Sequence, residues 1–176
     1  MLLDRLFREK PARVAGRALY AAVVDKARSP VLFHDLGIPD TVEGRFESYS
    51  LHVFLLLERF KAQGEQAAEV SQALCDTYIS ALDNTLREMG MGDEGVSKRM
   101  RRLGEAFYGR IRSYEAALAP LPDTAALEAM LVRTVYADAD ASGAPRMAAY
   151  IVAQRLTLAG QPTERLCAGE VTWNAA

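Results

Sequence analysis

Residues 86–114 read Leu-Arg-Glu-Met-Gly-Met-Gly-Asp-Glu-Gly-Val-Ser-Lys-Arg-Met-Arg-Arg-Leu-Gly-Glu-Ala-Phe-Tyr-Gly-Arg-Ile-Arg-Ser-Tyr. Within and beyond this stretch, Val96, Met100, Leu103, Phe107, Ile111, Tyr114 and Leu118 alternate at steps of three and four, the period of a long amphipathic helix that ends at Ala119-Pro120. Upstream, Val70, Leu74, Tyr78, Leu82, Leu86 and Met89 form a second stripe of the same kind, and Gly90 stands where a left-handed cap is expected. Asp93 offers an N-cap to the next helix and Glu94 a first-turn acid. Gly104 and Gly109 fall inside the helical run, where each costs about 1 kcal/mol relative to alanine. Close approach of a neighbouring backbone is the simplest reason for them. Gly90-Met91-Gly92-Asp93-Glu94-Gly95 matches a dinucleotide-binding glycine pattern, but it follows a helix instead of a strand and puts carboxylates where a pyrophosphate would sit. A nucleotide site is rejected.

The rest of the chain is read in the same way. A first helix runs from Val14 with Ala18, Leu19, Ala22 and Val23 inward, and Ser29-Pro30 stops it. Residues 31–36 are a short apolar piece of undecided type, followed by the turn Gly37-Ile38-Pro39-Asp40. A second helix from Thr41 carries Phe46, Tyr49, Val53, Leu56, Leu57 and Phe60 to Gly64. Pro122-Asp123-Thr124 opens a helix with Leu127, Leu131 and Val135 buried, residues 138–145 form a small acidic loop, and a last helix passes Tyr150, Ile151, Gln154 and Leu158 to Gly160. The reading is an all-α single-domain bundle of about six helices: an amphipathic segment over residues 1–13, a helical domain over 14–160, and an extended C-terminal tail over 161–176.

Composition narrows the function. With 176 residues, half of them apolar, and a net charge of -2, the chain supports one core and is not basic throughout, so DNA coating is excluded. No apolar run suits a membrane span or a secretory signal, and a cytoplasmic location is expected. Cys75 and Cys167 lack metal-site spacing, and His34 and His52 have no ligand company, so neither a metal nor another cofactor is expected. No serine lies in a nucleophile setting, and no catalytic residue is assigned. The chain is read as no enzyme.

Charge is segregated along the middle helices. Residues 65–94 hold seven acids against Arg87, whereas residues 98–112 hold Lys98, Arg99, Arg101, Arg102, Arg110 and Arg112 against Glu105. Two helices joined by a short turn pack side by side, so the runs either neutralise each other or leave a basic patch for an acidic partner such as ribosomal RNA, anionic lipid or a protein loop. Arg45, His52 and Arg59 recur every seven residues, either as a plain amphipathic boundary or as one wall of a recognition groove with Glu47, Asp83 and Arg87. Leu2, Leu3, Leu6 and Phe7 among Arg5, Arg8, Lys10 and Arg13 suit either an interfacial helix on anionic lipid, with Leu3, Leu6 and Phe7 as the membrane contact, or packing on the bundle.

Gly37-Ile38-Pro39-Asp40-Thr41, Gly44-Arg45-Phe46-Glu47, Leu51-His52, Leu86-Arg87-Glu88-Met89-Gly90, Gly92-Asp93, Lys98-Arg99 and Ala106-Phe107-Tyr108-Gly109-Arg110 together resemble the ubiquinol-cytochrome c chaperone family, from about Leu19 to Leu118. The resemblance implies an assembly factor for ubiquinol-cytochrome c reductase, respiratory complex III, whose mitochondrial members engage new cytochrome b near the ribosome and the membrane. It implies cytochrome b or another complex III subunit as partner, a ribosome or second assembly factor alongside, and a peripheral site at the inner face of the inner membrane. The length and the lack of a presequence suggest a bacterial member. The implied partner-binding surface contains Arg45, Glu47, His52, Asp83, Arg87, Glu88, Asp93, Lys98, Arg99, Tyr108 and Arg110. Ala81 and Ser97 depart from the pattern, which has an acid and a glycine there. A nucleic-acid or ribosome-binding module using Lys98 to Arg102 is the alternative.

Overall fold

The computed structural model describes residues 9–137 and 139–175. Among them are eight helices: α1 (Pro11–Ala27), α2 (Pro30–His34), α3 (Val42–Phe60), α4 (Glu65–Glu88), α5 (Asp93–Leu118), α6 (Ala125–Thr134), α7 (Ala144–Ala159) and α8 (Thr163–Cys167). The six long helices lie where the periodicity puts them. Helix α1 begins three residues before Val14, with Pro11 in its first turn, where a missing N–H costs nothing. Its inward stripe is Ala15, Gly16, Leu19, Val23 and Ala27, so Ala18 faces solvent. Gly16 marks where α1 crosses α4: a Cβ there would stand 2.7 Å from the Ala73 carbonyl carbon.

Residues 31–36, undecided from sequence, form the single turn α2 and its exit. Thr41 caps α3, its hydroxyl accepting the Gly44 N–H at 3.1 Å. Helix α3 is the centre of the bundle. Leu51, His52, Val53, Phe54, Leu55 and Leu56 are six consecutive residues at 1% exposure or less, so over this stretch the helix is enclosed on all sides and not amphipathic as its stripe suggested. Gly90 adopts φ +81 and turns the chain from α4 into α5, as expected of a left-handed cap. The N-cap of α5 is Gly92; Asp93 is the first helical residue, and its carboxylate reaches back to Arg87 instead of capping.

The C-terminal segment is the expected irregular tail, with one short helix at its start. It contains α8, and then lies over α1, α3 and α7. Gln161 bonds the Thr172 backbone in both directions at 2.8 Å, and Gln154 accepts the Asn174 N–H at 2.8 Å. The Trp173 indole N–H donates to the Ala22 carbonyl at 3.2 Å. Arg59 fixes the turn beneath this segment, donating to the Leu158 and Gln161 carbonyls at 3.0 and 2.7 Å. These bonds satisfy the carbonyls that α7 leaves open at its end.

Candidate functional site

Helices α4 and α5 continue their apolar stripes past the end of the core. On α4, Val70, Leu74 and Tyr78 are buried at 1% or less, but Leu82 is only half-buried and Met89 is 62% exposed. On α5, Phe107 and Tyr114 are fully buried, whereas Met100 and Leu103 near the other end are half-exposed. Between these two ends, roofed by α1 and the start of α3, opens a groove of about 620 Å³. Val24, Phe46, Leu82, Leu86, Leu103 and Ala106 supply apolar wall, and Tyr20, Tyr49 and Tyr78 supply aromatic surface. Val42, 59% exposed, and Met89 stand at its edge. An apolar concavity of this size is the usual form of a binding site.

The floor is held rigidly. The Tyr78 hydroxyl shares a hydrogen bond of 2.9 Å with the Ser50 hydroxyl, and its ring meets Phe107 edge-on at 5.1 Å and Tyr20 at 6.1 Å. Burial pushes the Tyr20 phenol up to about 12 and the Tyr78 phenol further, so both stay neutral hydrogen-bonding groups. Glu47 stands beside them at 6% exposure, gripped by Arg110 through three contacts of 2.7–2.9 Å. That bidentate pair raises the Arg110 guanidinium above its ordinary value and ties α3 to α5.

The charged rim is basic. Arg28, Arg45, Arg99 and Arg102 line the groove, against Glu43 and Glu47. Of the two readings of the basic run, neutralisation of the acidic run of α4 is not the one the ion pairs follow. Among the described residues, the ion pairs of α5 bases run to α3, Arg99 to Glu43 at 3.7 Å and Arg110 to Glu47, while Lys98, Arg101, Arg102 and Arg112 form none. On α4, Arg87 instead joins Asp83 and Asp93 at 2.7 and 2.6 Å. The reason lies in the packing: the basic side of α5 turns toward α3 and solvent, not toward the acids of α4.

The expected partner-binding residues therefore separate. Arg45, Glu47 and Arg99 meet at the groove, and Arg110 holds Glu47 there. Asp83, Arg87 and Asp93 form one exposed cluster at the α4–α5 turn; Glu88 and Lys98 are exposed near it. Tyr108, 57% exposed, looks into a different, more open concavity with Phe54, Leu57 and Ile111. His52 does not belong to a surface. It is fully buried, covered by Tyr150 of α7 and by Trp173, whose ring meets the imidazole edge-on at 5.3 Å. Its Nδ1–H must donate to the Ser48 carbonyl at 2.8 Å, which leaves Nε2 to accept from the Tyr150 hydroxyl at 2.7 Å. Burial lowers its pKa to about 4. The seven-residue spacing was real, but the side of α3 that holds His52 is covered by α7 and the C-terminal segment.

Other expectations also meet the geometry here. A Cβ at Gly104 or Gly109 would touch nothing within 4 Å, so no neighbouring backbone of this chain explains either glycine. Ala81 lines the groove and brings no carboxylate to it. The proposed membrane contacts Leu3, Leu6 and Phe7 lie outside the described residues. Sequence reasoning missed Tyr20, Val24 and Arg28 as groove wall. Their signal was available, since Tyr20 and Val24 are spaced i, i+4 on the flank of α1 beside its core stripe. Among the described residues no helix is long and apolar enough to cross a membrane, and no cluster of potential metal ligands is present.

Residues 34–173 match the family described as ubiquinol-cytochrome C chaperone, a span that takes in the α3, α4 and α5 parts of the groove and the C-terminal segment to Trp173 but not α1. The chain belongs to this family. The family's helical fold is shared by the crystal structure of the Cbp3 homolog from Brucella abortus, with a TM-score of 0.86 and 34% identity over 99% of this chain and 97% of that one. Ubiquinol-cytochrome c reductase complex assembly factor 1 of Drosophila melanogaster is 29% identical over 108 residues, covering 58% of this chain and 42% of that protein. Its counterpart in Xenopus laevis is 24% identical over 123 residues, covering 70% and 60%. The matched region thus amounts to 42% and 60% of the length of these two relatives.

Proposed function

We propose that this chain is an assembly chaperone for ubiquinol-cytochrome c reductase that holds cytochrome b, or a segment of it, during biogenesis, by binding and without bond-making chemistry. The observation that carries the reading is the half-open apolar groove with a charged rim in a member of this family. A membrane subunit between synthesis and assembly exposes apolar surface, and a groove of this kind shelters it until the next subunit arrives. Arg45, Glu47 and Arg99 make the groove-side part of the client surface, and Arg110 positions Glu47. The cluster of Asp83, Arg87 and Asp93, with Glu88, Lys98 and Tyr108, lies outside the groove and suits a second assembly factor or the ribosome. Leu3, Leu6 and Phe7 give a peripheral contact at the inner face of the inner membrane. The family relationship favours this reading over a nucleic-acid-binding module built on Lys98 to Arg102.

Deleting the gene and measuring cytochrome b by immunoblot and haem b absorbance tests the proposal. Loss of cytochrome b, restored by the wild-type gene but not by Phe46→Glu, is the expected result; normal cytochrome b levels in the deletion overturn it. A tagged chain retaining cytochrome b from detergent-solubilised membranes gives the physical counterpart.

A further inference from the structure

The charge at the groove is not balanced from within. Glu47 is committed to Arg110, and Glu43, 77% exposed, is only a loose 3.7 Å partner of Arg99. Arg45 is taken by Asp40 at 2.7 Å. Arg28 bonds the Tyr49 hydroxyl at 2.6 Å, and Arg102 has no ion pair among the described residues. Three guanidiniums, Arg28 just past the end of α1 with Arg99 and Arg102 on α5, thus stand over apolar wall with little or no carboxylate of their own. We infer that the groove selects an apolar helical segment of a client polypeptide that carries carboxylates one turn apart.

Resting on the client-holding reading above, this inference adds the chemistry of the client. Arg99 and Arg102 are three residues apart on one face, about 4.5 Å along the helix axis. A helical segment presents carboxylates at i and i+3 or i+4 with that same spacing. A lipid with a single phosphate seated in the groove meets one of these cations, whereas a helical segment with spaced carboxylates meets two at once. Electrostatic complementarity of this kind acts on partner choice and register while the apolar wall supplies the contact area.

Two helix-forming Leu/Ala peptides of equal length, identical except for a pair of Glu or a pair of Lys at i, i+4, each with an uncharged dye, decide the matter by fluorescence anisotropy on the full chain. The Glu peptide is expected to bind at least tenfold more tightly at low salt, with the preference shrinking as salt rises. Arg99→Glu/Arg102→Glu, checked for native circular dichroism, reverses the preference, and Phe46→Glu weakens both peptides. Equal binding, a preference for the Lys peptide, or an unchanged preference in the double variant overturns the inference. So does displacement of the Glu peptide by phosphatidylglycerol vesicles but not by phosphatidylcholine vesicles, which makes the basic rim a membrane contact. Cytochrome b retained by the tagged chain while the peptides show no acidic preference rejects the charge selection and leaves the assembly reading standing.

Discussion

Acidification tests the buried histidine directly. Removed from water, with the Lys26 ammonium nearby and only the Ser48 carbonyl favouring its charged form, His52 holds its pKa near 4. In the unfolded chain the same imidazole titrates near 6.5. Between those values the unfolded state binds a proton that the native state refuses, so stability falls as pH falls, and the contribution is fully present only above the unfolded value. The complete difference is about 3 kcal/mol; at pH 5, where the unfolded histidine is almost all protonated and the native one almost all neutral, about 2 kcal/mol is lost relative to pH 7. Trp173 is the one tryptophan of the chain and packs on His52, so its fluorescence reports unfolding at the site itself. Urea denaturation of the wild type and of His52→Gln at pH 7 and pH 5 isolates the effect, because every other titrating group, including the exposed His34, is common to both proteins. The variant is expected to be the less stable protein at pH 7, and the gap to narrow by about 2 kcal/mol at pH 5. Parallel loss of stability in the two proteins would refute the assignment of a neutral, inward-bonded imidazole.

The Glu47–Arg110 pair predicts an asymmetry: Arg110→Ala strands a carboxylate at 7% side-chain exposure, whereas Glu47→Ala strands a guanidinium at 26% that can still reach water. Arg110→Ala is therefore expected to cost about 3 kcal/mol in denaturant unfolding and Glu47→Ala distinctly less, and equal costs would contradict the packing described. Gly104→Ala and Gly109→Ala meet open space and are expected to stabilise by about 0.5–1 kcal/mol each, raising the melting temperature by about 1–4 °C; destabilisation of either would mean that a neighbour not seen in the fold lies against α5.

The long helices were legible because each carries a stripe at the helical period and all but α6 are followed within a few residues by glycine or proline. Helix α3 was located but misjudged. Its run from Leu51 to Leu56 admits only His52 as a polar residue, and a helix apolar on all sides is a central one. Picking a single stripe from that run hid the fact that His52 had to lie inside. Helix α8 was missed for a different reason. A five-residue helix has no period to detect, and the segment is fixed by side-chain to backbone bonds from Gln154, Gln161 and Trp173, whose partners lie 11 to 151 positions away.

The groove was legible only in part, and its two halves separate what sequence can carry from what it cannot. The apolar half is written in the α4 and α5 stripes, which run on to Met89 and back to Met100 and so outlast any core the neighbouring helices can close over them. Apolar residues left beyond the core need an occupant, because exposed surface of that kind costs about 25 cal/mol for each Å² that stays wet. The charged half depends on which acids each base meets, and that is a matter of how α5 is rotated on its axis. Counting charges along adjacent helices left neutralisation between α4 and α5 and a basic patch both open; the fold sends Arg99 and Arg110 to α3 and leaves Arg102 over the groove. A hundred degrees per residue is enough to exchange a neutral seam for a basic rim, so the sign of the client that this surface prefers is decided by helix rotation, which the order of residues along α5 does not by itself specify.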